Sequence, residues 1–180
     1  IAGGIYVAEI TFRTDTAEES IARIRKEVPE MLVGAGTVLT SEQAERAVKA
    51  GAKFIVSPGT DIDVIRKAKE LDVFMLPGAV TPSEIIIGLK EEIQIFKFFP
   101  SENYGGLKTI KALAAPFGKT TFIPTGGISM TNLTEYLEDN KIEAVGGSFV
   151  CPKKLINSGN WEEITRLSKE ALDIRNKVGY

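Results

Sequence analysis

The sequence predicts an α/β fold built on parallel strands, as in a (βα)8 barrel or a doubly wound sheet. Three observations lead there. Short β-like runs alternate with amphipathic stretches of helical period, recurring about every 20–27 residues from strand to strand. Run after run ends in small or turn-forming residues: Gly34-Ala35-Gly36-Thr37, Ser57-Pro58-Gly59-Thr60, Pro77-Gly78, Pro124-Thr125-Gly126-Gly127 and Gly146-Gly147-Ser148. Such residues let backbone and hydroxyls approach a ligand, and in a parallel sheet all these ends share the rim that binds substrate. Finally, a lysine, Lys97, interrupts the apolar run Ile93-Gln94-Ile95-Phe96-Lys97-Phe98-Phe99-Pro100.

Strands are expected at 5–12, 31–35, 53–57, 73–76, 93–98, 121–124 and 142–145. Helices are expected near 16–28, 41–50, 61–70, 82–89, 106–114, 131–138 and 161–177. Ser41 opens Ser-Glu-Gln-Ala, and Asp61 and Thr81-Pro82 read as helix starts, because a side-chain oxygen can accept from the first free N–H groups. Ile1-Ala-Gly-Gly reads as a helix end with its glycine stop, running straight into a strand. Seven strands are one short of a closed barrel.

The totals fit one soluble domain over residues 1–180, with 22 Lys and Arg against 24 Asp and Glu. That near-neutral balance offers no basic patch for nucleic acid or an anionic membrane. No apolar run approaches the roughly 18 residues of a membrane span. A single cysteine, Cys151, excludes an internal disulfide and suits a reducing cytoplasm. There is no histidine, which removes His-based triads, the usual zinc sites and imidazole acid–base chemistry together. Carboxylates, Lys, Arg, hydroxyls and backbone must carry any catalysis.

Lysine is almost never fully buried without a partner. In apolar surroundings the neutral amine is favoured, and it is a nucleophile able to form a Schiff base. The plainer alternative is that Lys97 faces outward and snorkels past a covering helix. On the strand at 5–12, Tyr6, Ala8, Ile10 and Phe12 share one face, and Val7, Glu9, Thr11 and Arg13 share the other. By the same alternation Ile93, Ile95, Lys97 and Phe99 share a face. A barrel would therefore bring Glu9, Arg13 and Lys97 into one cavity. An ion cluster plugging the barrel is the structural alternative, but burying charge costs several kcal/mol per ion, so function is the better reason to keep three. The glycine pairs at 126–127 and 146–147 close the last two strands and expose backbone N–H groups suited to an anion; two tight turns are the plainer reading.

These residues carry a resemblance. The stretches Glu9-Ile-Thr-Phe-Arg-Thr14, Val33-Gly-Ala-Gly-Thr-Val-Leu39, Ile55-Val-Ser-Pro-Gly59, Thr81-Pro-Ser-Glu84, Phe96-Lys-Phe-Phe-Pro100, Pro124-Thr-Gly-Gly-Ile-Ser129 and Val145-Gly-Gly-Ser148 run in order through nearly the whole chain. Together they resemble the class I 2-keto-3-deoxy-6-phosphogluconate (KDPG) and 2-keto-4-hydroxyglutarate (KHG) aldolases. The resemblance implies a (βα)8 barrel, a homotrimer, and a Schiff-base lysine that falls on Lys97. It puts the proton-shuttling glutamate on Glu9. The substrate carboxylate falls to Arg13, Thr37 and Thr125, and the phosphate to Gly126, Gly127, Gly147 and Ser148. The family pattern also has a strand and helix before the position of Ile1, about 20–30 residues by the size of the repeats. Ser101-Glu102-Asn103-Tyr104 and Asp61-Ile62-Asp63 depart from the pattern at the rim.

The sequence is thus expected to encode a retro-aldol lyase acting on a 2-keto-3-deoxy acid. Alternatives are an aldolase for unphosphorylated 4-hydroxy-2-oxoglutarate and a non-catalytic barrel serving as an assembly scaffold. An imine takes the electrophilic role that a metal has in other aldolases, so neither metal nor organic cofactor is expected. Treatment with EDTA should leave activity unchanged; loss on chelation, restored by a divalent ion, would contradict this.

Overall fold

A computed structural model of the chain describes residues 1–179, which divide into two units. One is Tyr6–Lys97; the other joins Ile1–Ile5 to the chain from Phe98 onward.

The first unit is a parallel sheet of β1 (Val7–Thr11), β2 (Leu32–Gly36), β3 (Phe54–Val56) and β4 (Phe74–Leu76), each strand beside the next in sequence. Between them run α1 (Ala17–Glu27), α2 (Ser41–Ala50) and α3 (Ile62–Glu70), and α4 (Pro82–Lys90) follows β4. Strand, helix and parallel neighbour repeat as the alternation of the sequence requires. The helix starts are those marked by side-chain oxygens. Thr40 accepts from the N–H of Gln43, Asp61 from that of Val64, and Thr81 forms a reciprocal capping box with Glu84. The core packs Ile21 of α1, Ala44 and Ala47 of α2 and Val64, Ile65 and Ala68 of α3 with Val33, Ala35, Ile55 and Met75 of the strands. Alanines and β-branched residues dominate it. Each fully buried Val or Ile contributes about 1.5–3 kcal/mol.

β5 (Ile95–Phe98) crosses the division, with Lys97 closing the first unit and Phe98 opening the second. In the second unit, a 3-10 turn (Glu102–Tyr104) leads into α5 (Gly106–Ala114), β6 (Thr121–Pro124) and α6 (Leu133–Leu137). After these come α7 (Lys153–Asn157) and α8 (Trp161–Lys177). Phe98 and Phe122 meet edge to face, their ring centres 6.2 Å apart. Gly3 packs so closely on α8 that a Cβ there would overlap Ser168. No helix among the described residues is long and apolar enough to cross a membrane.

The structure corrects the seventh strand. Residues 142–145 make no strand, only isolated parallel bridges from Ile142 to Phe122 and from Gly146 to Thr125. The cause is Pro124. Phe122 pairs regularly, donating to Lys141 and accepting from Glu143 at 2.8 and 3.0 Å. Pro124 has no N–H to continue the ladder. Its carbonyl accepts from Gly146 at 2.9 Å, so one extra residue enters the facing segment, as in a bulge. The short helix α7 and the 3-10 turn were also not anticipated; both are too brief for a helical period to register.

Asp139 lies just past the end of α6. Burial pushes its carboxyl up, but hydrogen bonds from Lys111 (2.9 Å) and from the backbone N–H of Lys141 (2.9 Å), with both lysine charges, outweigh burial and hold it below the ordinary carboxylate range. A depressed folded value adds stability above the unfolded value of about 3.9, and that stability is lost as pH falls through the folded one. Asp139→Asn should therefore lower Tm at pH 7, and the gap from the parent should close as pH falls below about 4. A gap constant with pH in thermal melts would show that the carboxylate charge is not what Asp139 contributes.

Candidate active site

Lys97 is buried, with 6% of its surface exposed, and its Nζ lies 3.3 Å from the Glu9 Oε1. Both belong to the first unit. The backbone of Lys97 is clamped on the exit of β4: its N–H donates to Pro77 at 2.8 Å, and its carbonyl accepts from Ala79 at 2.9 Å. The intervening residue is Gly78, where a Cβ would overlap the carbonyl of Pro58. Pro77-Gly78 is thus a point where the exits of β3 and β4 and the middle of β5 crowd together, and only glycine fits. Lys97 faces Glu9 by strand alternation, and the snorkelling alternative falls away.

Glu9 is placed by register. β1 pairs with β2 so that Glu9 lies opposite Gly34 and Thr11 opposite Gly36. A Cβ at Gly36 would overlap the Glu9 carboxylate, so the missing side chain makes the space in which Glu9 turns toward Lys97. The Glu9 side chain keeps 31% of its surface exposed, so the pair has one buried and one accessible member. An exposed carboxylate can exchange protons with a substrate or water while the amine stays sheltered.

Arg13 stands on the exposed segment after β1 and makes no ion pair among the described residues. Lys97 and Glu9 form the ion pair, and Arg13 is bonded to neither among the described residues. Next to Arg13, Phe12 is buried under the Arg46 guanidinium, which lies 5.7 Å over its ring and also pairs with Glu18. Thr37, directly after β2, has φ of 59°. That left-handed conformation is unusual for a β-branched residue and stores about 1–3 kcal/mol of strain, which tends to gather at ligand sites.

The remaining expected residues lie in the second unit. Thr125 follows β6; its N–H donates to Phe98 at 2.9 Å, and its carbonyl accepts from Ser101 at 2.8 Å. Gly126 and Gly127 have φ of 92° and 82°, conformations that require glycine. The carbonyl of Gly126 accepts from the N–H of Glu102 at 3.2 Å, and that of Gly127 from the side-chain amide of Asn132 at 3.1 Å. In a trans peptide the N–H points opposite to the carbonyl. The N–H groups of Gly127 and Ile128 are thereby turned the other way, free of backbone acceptors among the described residues. Gly146 packs against the Thr125 hydroxyl, and Gly147 and Ser148 are exposed beyond it.

Sequence reasoning missed one cluster here. Tyr136 on α6 is 2% exposed and donates to Glu102, while the Ser101 hydroxyl lies 2.9 Å from the Tyr136 oxygen. Tyr136 reads as an ordinary apolar-face residue of the helix at 131–138, and nothing local marks its partner 34 residues back. Among the described residues no three His, Cys, Asp or Glu side chains converge as a metal site would need. A cleft of about 350 Å³ lined by Phe74, Ile93 and Ile95 opens at the starts of β4 and β5, away from the Lys97 end.

Known proteins resemble this chain throughout. The family model described as KDPG and KHG aldolase matches residues 1–167. The KHG/KDPG aldolase of Escherichia coli K12 is 42% identical over 173 residues, covering 96% of this chain and 81% of the relative. The 2-dehydro-3-deoxy-phosphogluconate aldolase of Dickeya dadantii is 43% identical over 172 residues, with the same coverage. Among solved structures, the KDPG aldolase of Legionella pneumophila, with pyruvate captured as a covalent carbinolamine, superposes with a TM-score of 0.91 at 38% identity, over 94% of this chain and 82% of that one. The Zymomonas mobilis enzyme with 3-phosphoglycerate gives 0.88 at 44% identity, over 94% and 79%. The fold class is the barrel-type α/β class expected from the sequence.

Burial, followed by the hydrogen bond to Glu102, pushes the Tyr136 phenol up to about 12. A raised value means stability that is complete below the unfolded value near 10 and is lost as pH rises through about 12. Absorbance at 295 nm should show one late-ionising tyrosine, absent in Tyr136→Phe. An identical titration curve in that variant would refute the burial of this phenol.

Proposed function

The chain belongs to the KDPG and KHG aldolase family, and on that premise we propose that it cleaves 2-dehydro-3-deoxy-6-phosphogluconate to pyruvate and glyceraldehyde 3-phosphate through an imine on Lys97. It is a class I aldolase, a carbon–carbon lyase. The observation that carries the assignment is the buried Lys97 amine 3.3 Å from a carboxylate that solvent can reach.

Glu9 is placed to take the proton that the Lys97 ammonium must lose before it attacks the C2 ketone. Attack gives a carbinolamine, and loss of water gives the protonated imine, the electron sink for the C3–C4 bond. Glu9, directly or through a water, accepts the C4 hydroxyl proton as that bond breaks and the aldehyde departs. The electrons come to rest as an enamine. A proton returned to C3 restores the imine, and water then releases pyruvate and the free lysine. The family resemblance assigns the substrate carboxylate to Arg13, Thr37 and Thr125, which would fix the keto acid's orientation. Gly126, Gly127, Gly147 and Ser148 hold the phosphate, an assignment supported by the backbone N–H groups turned outward at the glycine pair. The working form is a homotrimer, as the family resemblance implies, and its single cysteine, Cys151, suits a reducing cytoplasm.

Two experiments test the chemistry. Pyruvate with borohydride should add one reduced pyruvyl group, mapped to the Lys97 peptide; labelling of another lysine, or none in folded protein, would sink the assignment. Glu9→Gln should still form imine but slow exchange of pyruvate methyl protons with deuterated water by roughly 10²–10⁴. Undiminished exchange would mean that another group moves the proton.

A further inference from the structure

The Ser101, Tyr136 and Glu102 cluster takes no part in the chemistry above, yet it ends beneath the Gly126–Gly127 turn. Tyr136 has a single hydroxyl proton, and it goes to the Glu102 carboxylate. The Ser101 hydroxyl, 2.9 Å away, must then donate to the phenol oxygen, giving a one-way chain from Ser101 through Tyr136 to Glu102. Ser101 and Tyr136 are both buried, so the chain is sheltered until it reaches Glu102.

Glu102 touches the turn twice. Its backbone N–H donates to the Gly126 carbonyl at 3.2 Å. Its Cβ and Cγ occupy the space where a Gly127 side chain would be. From the other side, a Cβ on Gly106 would come within 2.9 Å of both the Glu102 Oε1 and the Tyr136 oxygen, so the two groups are closely hemmed in. The glycine pair has no side chains of its own to fix it. Pro100 and Phe99 pack against Gly126 and Asn132 holds the Gly127 carbonyl, while Glu102 is the side chain that fills the space at Gly127.

We propose that Glu102, braced by Tyr136, is a positioning residue that sets the Gly126–Gly127 turn to receive a phosphate monoester, and so makes the enzyme favour a phosphorylated keto acid. The proposal rests on reading that turn as the phosphate site. The brace acts on one end of the substrate alone. Losing it therefore weakens phosphate recognition and leaves the imine chemistry of pyruvate, which carries no phosphate, as it was. A general structural role would weaken both.

The full chain should be assayed three ways: KM and kcat for the phosphorylated substrate, competitive inhibition by inorganic phosphate, and exchange of pyruvate methyl protons. Tyr136→Phe and Glu102→Ala should each raise KM and the phosphate inhibition constant about tenfold, the scale of one lost hydrogen bond to a charged group. Both kcat and pyruvate exchange should stay within about twofold. Glu102→Gln keeps the acceptor for Tyr136 and the packing on Gly127, so it should restore KM to near the parent value. Should Tyr136→Phe fail to fold, the Glu102→Ala and Glu102→Gln pair decides alone. Equal losses in exchange and KM, or no change in KM, overturn the proposal while phosphate inhibition of the parent keeps the phosphate site standing. A parent enzyme indifferent to phosphate overturns both.

Discussion

The buried ion pair between Lys97 and Glu9 is the constraint on which the first unit depends. An ammonium removed from water costs several kcal/mol unless a partner and good geometry offset it. Here the partner comes from a strand 88 residues away, so the pair is possible only if two strands are each held in register. β5 is held by the hydrogen bonds of Lys97 to Pro77 and Ala79. β1 is held by its pairing with β2, and Gly36 leaves room for the carboxylate. A one-residue slip in either strand would turn the charged side chain to the opposite face and strand its partner. The glycines at the strand exits are therefore part of the chemistry, because they set how closely the charged side chains can approach.

The second unit solves a different problem with similar means. It turns backbone N–H groups outward at Gly127 and Ile128 by occupying the carbonyls on the inner side. Glu102 takes one and Asn132 the other. Glu102 does so through its backbone N–H while its side chain accepts from Tyr136, and the Asn132 side chain accepts from the backbone N–H of Ser129 at 2.8 Å.

Much of this was legible in the chain, for identifiable reasons. Strand alternation put Glu9 and Lys97 on inward faces because the period of two is strict and each strand carries one charge amid apolar residues. Helix starts at Asp61 and Thr81 were legible because capping is a local event, whereas the cap of α2 is Thr40, one residue before the Ser41 expected. For Arg13, alternation gives the face it shares with Glu9 but not a distance, so whether the two pair was not legible. The strand at 142–145 was overcalled because an apolar run carries no sign that its partner, ending in Pro124, lacks the N–H to extend the ladder. Tyr136 and Glu102 were invisible as a pair because their contact is tertiary. Thr37 reads as an ordinary threonine until its backbone angle is known.

The order of strands in the first unit bears on how it assembles. Each strand of the sheet lies beside its sequence neighbour, so every pairing from β1 to β4 closes a loop of one repeat. The Lys97–Glu9 contact instead closes nearly the whole unit. Loop-closure entropy grows with the logarithm of length, so this last contact costs about 1 kcal/mol more than joining adjacent strands. A nascent or refolding chain can therefore gather its sheet and helices progressively while the reactive lysine still lacks its carboxylate. The Lys97–Glu9 pair, on which the proposed imine chemistry rests, thus carries a larger closure cost than any pairing between neighbouring strands.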